Sequence, residues 1–125
     1  MNEKLIYPDL SFKIIGCVFE VFNNLGPNHR ESLYQKAVAK ELGQKNIKFV
    51  AQFPIDLKYK GEIIGKNFFD FNIENKIILE LKVGLYIRKR NFEQLIDYLK
   101  LSNLKLGIIV CFTSGGVKFH RLLNG

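Results

Sequence analysis

Cysteine is nearly absent. Cys17 and Cys111 are the only two, both in apolar surroundings and without the spacing of a metal site, which leaves two buried free thiols as the expectation rather than a disulfide framework. No apolar run approaches the ~18 residues of a membrane span. The opening "MNEKLIYPDLS" lacks a basic start, a long apolar core and a small-residue cleavage site. A cytoplasmic protein with no membrane segment is therefore expected. Internal repeats and low-complexity tracts are missing too. Acids are in deficit, with 12 Asp+Glu against 19 Lys+Arg and a net charge of +7. That balance favours polyanionic partners, nucleic acid or an anionic membrane surface.

What remains is ordinary globular material. A chain of 125 residues, 47% hydrophobic, can bury one core, so residues 1–125 are expected to form a single domain. Residues 10–25, "LSFKIIGCVFEVFNNL", carry two overlapping apolar stripes, which predict a helix buried on most of its circumference. Asp9 stands as its N-cap and Gly26-Pro27 as its stop. Glu20 is then an odd acid on an apolar helix. A second helix is expected over about 29–42, with Asn28 and Glu31 as a capping box, Leu33, Ala37, Val38 and Leu42 as its stripe, and Gly43 as its end.

From residue 47 the texture changes to Val, Ile, Phe and Tyr. Lys60-Gly61 and Glu74-Asn75 are the turn points of a three-stranded antiparallel meander. "NFEQLIDYLKLS" predicts a third helix with Asn91 as N-cap and Phe92, Leu95, Ile96 and Leu99 inward. "KLGIIVCF" reads as a strand buried on both faces, and "GVKFHRLL" as a final edge strand. The order is α-α-β-β-β-α-β(-β), a mixed α/β domain with a sheet covered by helices.

The hairpin "KNFFDFNIENKIILELKVG", residues 66–84, interrupts its apolar pattern with Asp70, Glu80 and Lys82. Alternation places Phe69, Phe71 and Ile73 on one face, and Ile77, Leu79 and Leu81 likewise on the next strand. A two-residue loop would set Asp70 against Leu79. A three-residue loop at 74–76 keeps the apolar faces together and pairs Asp70 with Glu80 and Phe68 with Lys82. Opposed carboxylates repel, and a hard divalent cation such as magnesium, which takes one or two carboxylates, would compensate. Lys82 shares their face and can reach a phosphate. The pattern alone equally permits Lys82 to neutralise Glu80 on a solvated face.

Asp70 followed ten residues later by Glu80-Leu81-Lys82 resembles the signature of the restriction-endonuclease-like, or PD-(D/E)xK, nuclease superfamily. Gln94 and Tyr98 resemble the QxxxY helix motif of its RecB-like branch. "GCVFEVFNNLGPNHRESLYQKAV" resembles the GxxExxY family of small prokaryotic proteins through Gly16, Glu20, Leu25-Gly26-Pro27, Glu31 and Tyr34. The resemblance spans about residues 12–122. It departs from the family at Phe69, where a small residue is usual, and at Asn28, where glycine is usual.

The resemblance implies a restriction-endonuclease-like core, a mixed central sheet flanked by helices, and Mg²⁺- or Mn²⁺-dependent hydrolysis of DNA or RNA. It implies Asp70, Glu80, the Leu81 carbonyl and Glu20 as metal ligands, with Lys82, Gln94 and Tyr98 as further catalytic residues. Arg88, Lys89 and Arg90 would grip phosphates. Glu31 and Tyr34 read as a cap and a partly buried aromatic. So small a chain has little beyond its core to dictate a substrate, so a homodimer or a protein partner is a further expectation. On the same fold the alternative is a non-catalytic nucleic-acid-binding or protein-interaction module.

Overall fold

A computed structural model describes residues 6–125; residues 1–5, the start of the stretch lacking a leader's pattern, lie outside the described residues. Strands β1 (Phe49–Tyr59) and β2 (Glu62–Ile73) are joined at Lys60 and Gly61, both at positive φ. Such a two-residue turn matches the twist of a hairpin. Glu74 and Asn75, also at positive φ, open the three-residue connection from β2 to β3 (Ile77–Val83). Strand β4 (Leu106–Thr113) lies parallel to β3, and β5 (Gly116–Leu123) closes the far edge antiparallel to β4. The sheet order is β1-β2-β3-β4-β5, and every residue of β4 is buried.

Three helices cover the sheet. Helix α1 (Pro8–Leu25) begins with Tyr7, not Asp9, at its N-cap. Pro8 takes the first turn because its missing N–H is an orphan there anyway, and Asp9 follows inside that turn. Gly26, at φ 73°, donates to the Phe22 carbonyl and ends the helix as expected. The helix is buried on one face only, through Ile14, Cys17, Val18 and Val21, while Phe12 is 80% exposed. The second stripe is only partly buried: Ile15 and Phe22 pack at the margin of the same core, Phe22 against Phe112, and Phe19 meets Phe119 of β5 edge-on.

Helix α2 (Glu31–Gln44) starts at Glu31 itself, so Asn28 and Glu31 form no capping box, and Gly43 lies within the helix. Asn28 adopts φ 68°, a conformation glycine favours and asparagine tolerates. The departure from glycine there is conformationally matched. Leu33 is turned outward and Tyr34 inward. Tyr34 is fully buried, stacks on Phe112 at 4.0 Å and donates to the Gly26 carbonyl at 2.6 Å.

Helix α3 (Lys89–Ser102) is the crossover between parallel β3 and β4. It starts two residues before Asn91, whose side chain accepts the Arg88 N–H at 3.0 Å. Tyr98, not Ile96, joins Leu95 and Leu99 in its buried stripe.

Two cores result. One packs α1 and α2 against Phe71, Ile73, Leu79, Leu81, Ile108 and Val110. The other packs α3 against Ile55, Phe69, Ile78 and Ile109. Phe69 and Phe71, expected on one face, therefore belong to opposite cores. Gln52, at φ 52°, stands in register between the pairs Ala51↔Phe71 and Phe53↔Phe69, opposite Asp70. A left-handed residue interrupts the strand's alternation at that point. Both cysteines are buried and free. Among the described residues, no helix is long and apolar enough to cross a membrane.

Candidate metal and phosphate site

The ladder between β2 and β3 holds the pairs Ile73↔Ile77, Asn72↔Ile78 and Phe71↔Leu79, then stops. The three-residue loop and its register are as expected, and the next step sets Asp70 against Glu80. The expected pairing does not continue to Phe68 and Lys82, because β3 runs on along β4 and β2 along β1. At this fork the backbone N–H groups need new partners. The two carboxylates supply them: Asp70 N–H donates to Glu80 Oε1 at 2.7 Å, and Leu81 N–H donates to Asp70 Oδ2 at 2.7 Å. Asp70 is 8% exposed and Glu80 4%.

Other elements converge on the pair. Gln35 of α2 donates to Asp70 Oδ1 at 2.9 Å and to Glu31 Oε2 at 3.4 Å. Lys82 Nζ lies 3.7 Å from Glu80 Oε2. Burial first, and then the charge of Asp70, push the Glu80 carboxyl up to about 8 against the opposing pull of the Asp70 N–H and Lys82. Burial also raises Asp70, opposed by the Leu81 N–H, Lys82, Gln52 and Gln35. Glu31 is raised by burial and then by Asp70. Tyr98 is raised by burial and by the charges of Glu80 and Asp70. Two carboxylates held this dry have a strong demand for positive charge.

The expected residues are distributed unevenly. Asp70, Glu80, Leu81 and Lys82 come together, with Tyr98 close enough to sense both acids and packed 5.8 Å from Phe69. Gln94 is half-buried and lines a cavity of about 580 Å³ with Tyr98, Arg90 and Asn67. Arg88, Lys89 and Arg90 are exposed where α3 begins.

Glu20 is not brought to the pair. It is exposed and its carboxylate accepts from Asn24 within its own helix at 3.0 Å. Its face of α1 lies away from the packed stripe. The helical acid whose charge acts on Glu80 is Glu31, from α2. Glu31, Gln35 and Gln52 are what sequence reasoning missed. The one available signal was Glu31 and Gln35 a helical turn apart, and Glu31 had a competing explanation as a cap.

Among the described residues no three or more acidic, His or Cys side chains are arranged so that they could together hold a metal ion. Magnesium requires no such cage, since it is held by one or two carboxylates and completed by waters and phosphate oxygens. Buried oxygen donors with raised affinity for positive charge match that demand, so the residues present fit a hard divalent cation. Asp70 and Glu80 would hold it.

The comparisons with known proteins fall in the same place. The family model for the PD-(D/E)XK nuclease superfamily matches residues 8–122. The solved structure of SSO0001 is similar over 94% of this chain and 59% of its own length, at TM-score 0.57 and 19% identity. An alkaline exonuclease from Laribacter hongkongensis is similar over 100% of this chain and 73% of its own, at TM-score 0.56 and 10% identity. These likenesses show a mixed α/β fold shared with a nuclease. No curated protein matches in sequence.

Proposed function

The chain belongs to the PD-(D/E)XK nuclease superfamily, and from that premise we propose that it hydrolyses phosphodiester bonds of nucleic acid at Asp70, Glu80 and Lys82, with Mg²⁺ or Mn²⁺ as cofactor. One observation carries this reading: two buried carboxylates oppose each other at a fork in the sheet with an ammonium 3.7 Å from one of them. A purely structural role would leave two acids in a position where burial raises both pKa values.

A divalent cation, when bound, would supply Lewis acidity toward a phosphoryl oxygen. Asp70 and Glu80 would hold it, with the Leu81 carbonyl as a further oxygen. Gln35 fixes the orientation of Asp70 through Oδ1, and Leu81 N–H fixes the other oxygen. Lys82 orients the attacking water and offsets the negative charge that develops on the phosphate. Glu31 takes the part first expected of Glu20. Tyr98 and Gln94 face the substrate from α3, and Arg88, Lys89 and Arg90 bind phosphates beyond the scissile one.

The motif residues Glu31 and Tyr34 support placing the chain in the GxxExxY branch, working in the cytoplasm, with a second copy or a protein partner completing the substrate surface. The test is cleavage of labelled single-stranded, duplex and branched DNA and RNA with Mg²⁺ or Mn²⁺. Wild type is run beside Glu80→Ala and Lys82→Ala. Cleavage by wild type and none by either variant is expected. Nucleic-acid binding with no cleavage under either metal replaces this reading with the non-catalytic module.

A further inference from the structure

Lys82 is in register with Cys111, and Cys111 with Lys118. Directly paired residues share a face of the sheet, so the two lysines lie in one row, their strands roughly 10 Å apart. Just beyond this row, where β3 and β4 end, a cavity of about 330 Å³ is bounded by Leu85 on one side and by Thr113, the Ser114–Gly116 turn and Lys118 on the other. Its one charged lining residue is Lys118. The other large cavities described differ in this respect: Glu93 and Asp97 line one, and Asp56 another.

The segment between β3 and α3 borders the same cavity and displays apolar surface to water. Leu85 is 76% exposed and Tyr86 58%. Arg88 lies 6.0 Å from the Tyr86 ring centroid. The segment is anchored at its root, where Gly84 N–H donates to the Phe112 carbonyl at 3.2 Å. The opposing turn is braced by Thr113, whose hydroxyl donates to the Gly116 carbonyl at 2.7 Å and accepts the Gly115 N–H at 3.2 Å. An exposed ring between a guanidinium and an apolar neighbour that lines the hollow has the chemistry of a base-stacking platform.

We infer that an unpaired nucleic-acid strand leaves the scissile position across the ends of β3 and β4, with a phosphate at Lys118 and a base stacked on Tyr86. The inference rests on the phosphodiesterase reading for the polarity of that path, and it makes the substrate single-stranded or frayed beside the cut. A closed duplex keeps its base faces inside the helix and has none to offer Tyr86, whereas a splayed strand does. Charge complementarity selects the occupant: Lys118 lines the hollow, Lys82 lies in the same row of the sheet, and Arg88 stands beside the Tyr86 ring.

The experiment is fluorescence anisotropy with a short labelled single strand and the matching blunt duplex, in EDTA, so that binding is read without cleavage. Wild type should prefer the single strand. Tyr86→Ala should weaken single-strand binding by roughly 5- to 150-fold and leave duplex binding little changed. Tyr86→Phe, which keeps the ring, should bind like wild type. Lys118→Ala should weaken binding and lower its salt dependence by about one phosphate contact. Equal affinity for strand and duplex, or a Tyr86→Ala variant that binds the strand like wild type, overturns the inference. Because no divalent cation is present, a failed cleavage assay leaves this result standing, and the two readings fail separately.

Discussion

Asp70 and Glu80 each satisfy a backbone N–H on the other's strand: Glu80 Oε1 accepts from Asp70, and Asp70 Oδ2 accepts from Leu81, both at 2.7 Å. The pair is thus both the seam of the fork and the proposed cation site. Removing one member orphans a buried donor. Asp70→Ala should cost about 1–3 kcal/mol in urea unfolding, while Asp70→Asn, which keeps an acceptor, should cost much less. Both variants should lose cleavage. Equal stability losses in the two would show that the hydrogen bond is not what Asp70 contributes to the fold.

The Glu80 carboxyl, pushed up to about 8 from the usual 4.5, keeps a proton in the folded chain that the unfolded chain releases. The resulting stability is present in full below 4.5 and is lost as pH rises through 8. In EDTA, the thermal midpoint of wild type should therefore fall across this window more steeply than that of Glu80→Gln, which has no such proton to lose. Added Mn²⁺ should reverse the trend, because cation and proton compete for the same oxygens. Scanning fluorimetry across pH reads both effects, and parallel profiles for the two proteins would refute the assignment.

Lys82 is proposed to act on the reacting phosphate, not on the fold. Lys82→Ala should reduce kcat by about 10²–10³-fold, the usual effect of removing one charge-stabilising donor, and should retain the thermal shift on adding Mn²⁺. Loss of that shift would make Lys82 a prop for Glu80 instead.

Glu31 and Glu20 should behave oppositely. Glu31 feels Asp70 and Lys82, whereas Glu20 is exposed and bonded to Asn24. Glu31→Gln should lower activity and weaken the Mn²⁺-induced thermal shift; Glu20→Gln should change neither. Cleavage kinetics of the two variants side by side decide the point, and a defect confined to Glu20→Gln would return the role to α1.

Gly107 of β4 lets α3 approach closely. A Cβ there would meet three side-chain atoms of Leu95 at 2.9 Å. Gly107→Ala should destabilise by about 1–3 kcal/mol, and Leu95→Ala in the same chain should recover part of that loss. Additive losses in a double-mutant cycle would contradict the contact.

Much of this was legible in the residues. Alternation in "FNIENKIILEL" admitted one clean register, because a slip by one residue reverses every side chain. That register set Asp70 against Glu80 before any helix was docked. The continuous apolar run of β4 announced a central strand. Helix starts were less legible: Asp9, Asn28 and Asn91 all had capping side chains, yet the helices began at Pro8, Glu31 and Lys89. Phe69 could not be assigned from alternation, since the left-handed Gln52 sits on the neighbouring strand and interrupts the pattern from outside β2.

The sequence by itself determined the element order, the hairpin register and the opposed carboxylates, because period-two alternation and turn residues act over a few neighbours. Tertiary structure alone decided that the ladder would part at Asp70, that Phe69 and Phe71 would enter different cores, and that α2 would bring Glu31 and Gln35 to the pair while α1 turned Glu20 to solvent. Those outcomes depend on which helix face fills which side of the sheet. That is settled by packing between residues tens of positions apart, where no local periodicity reaches.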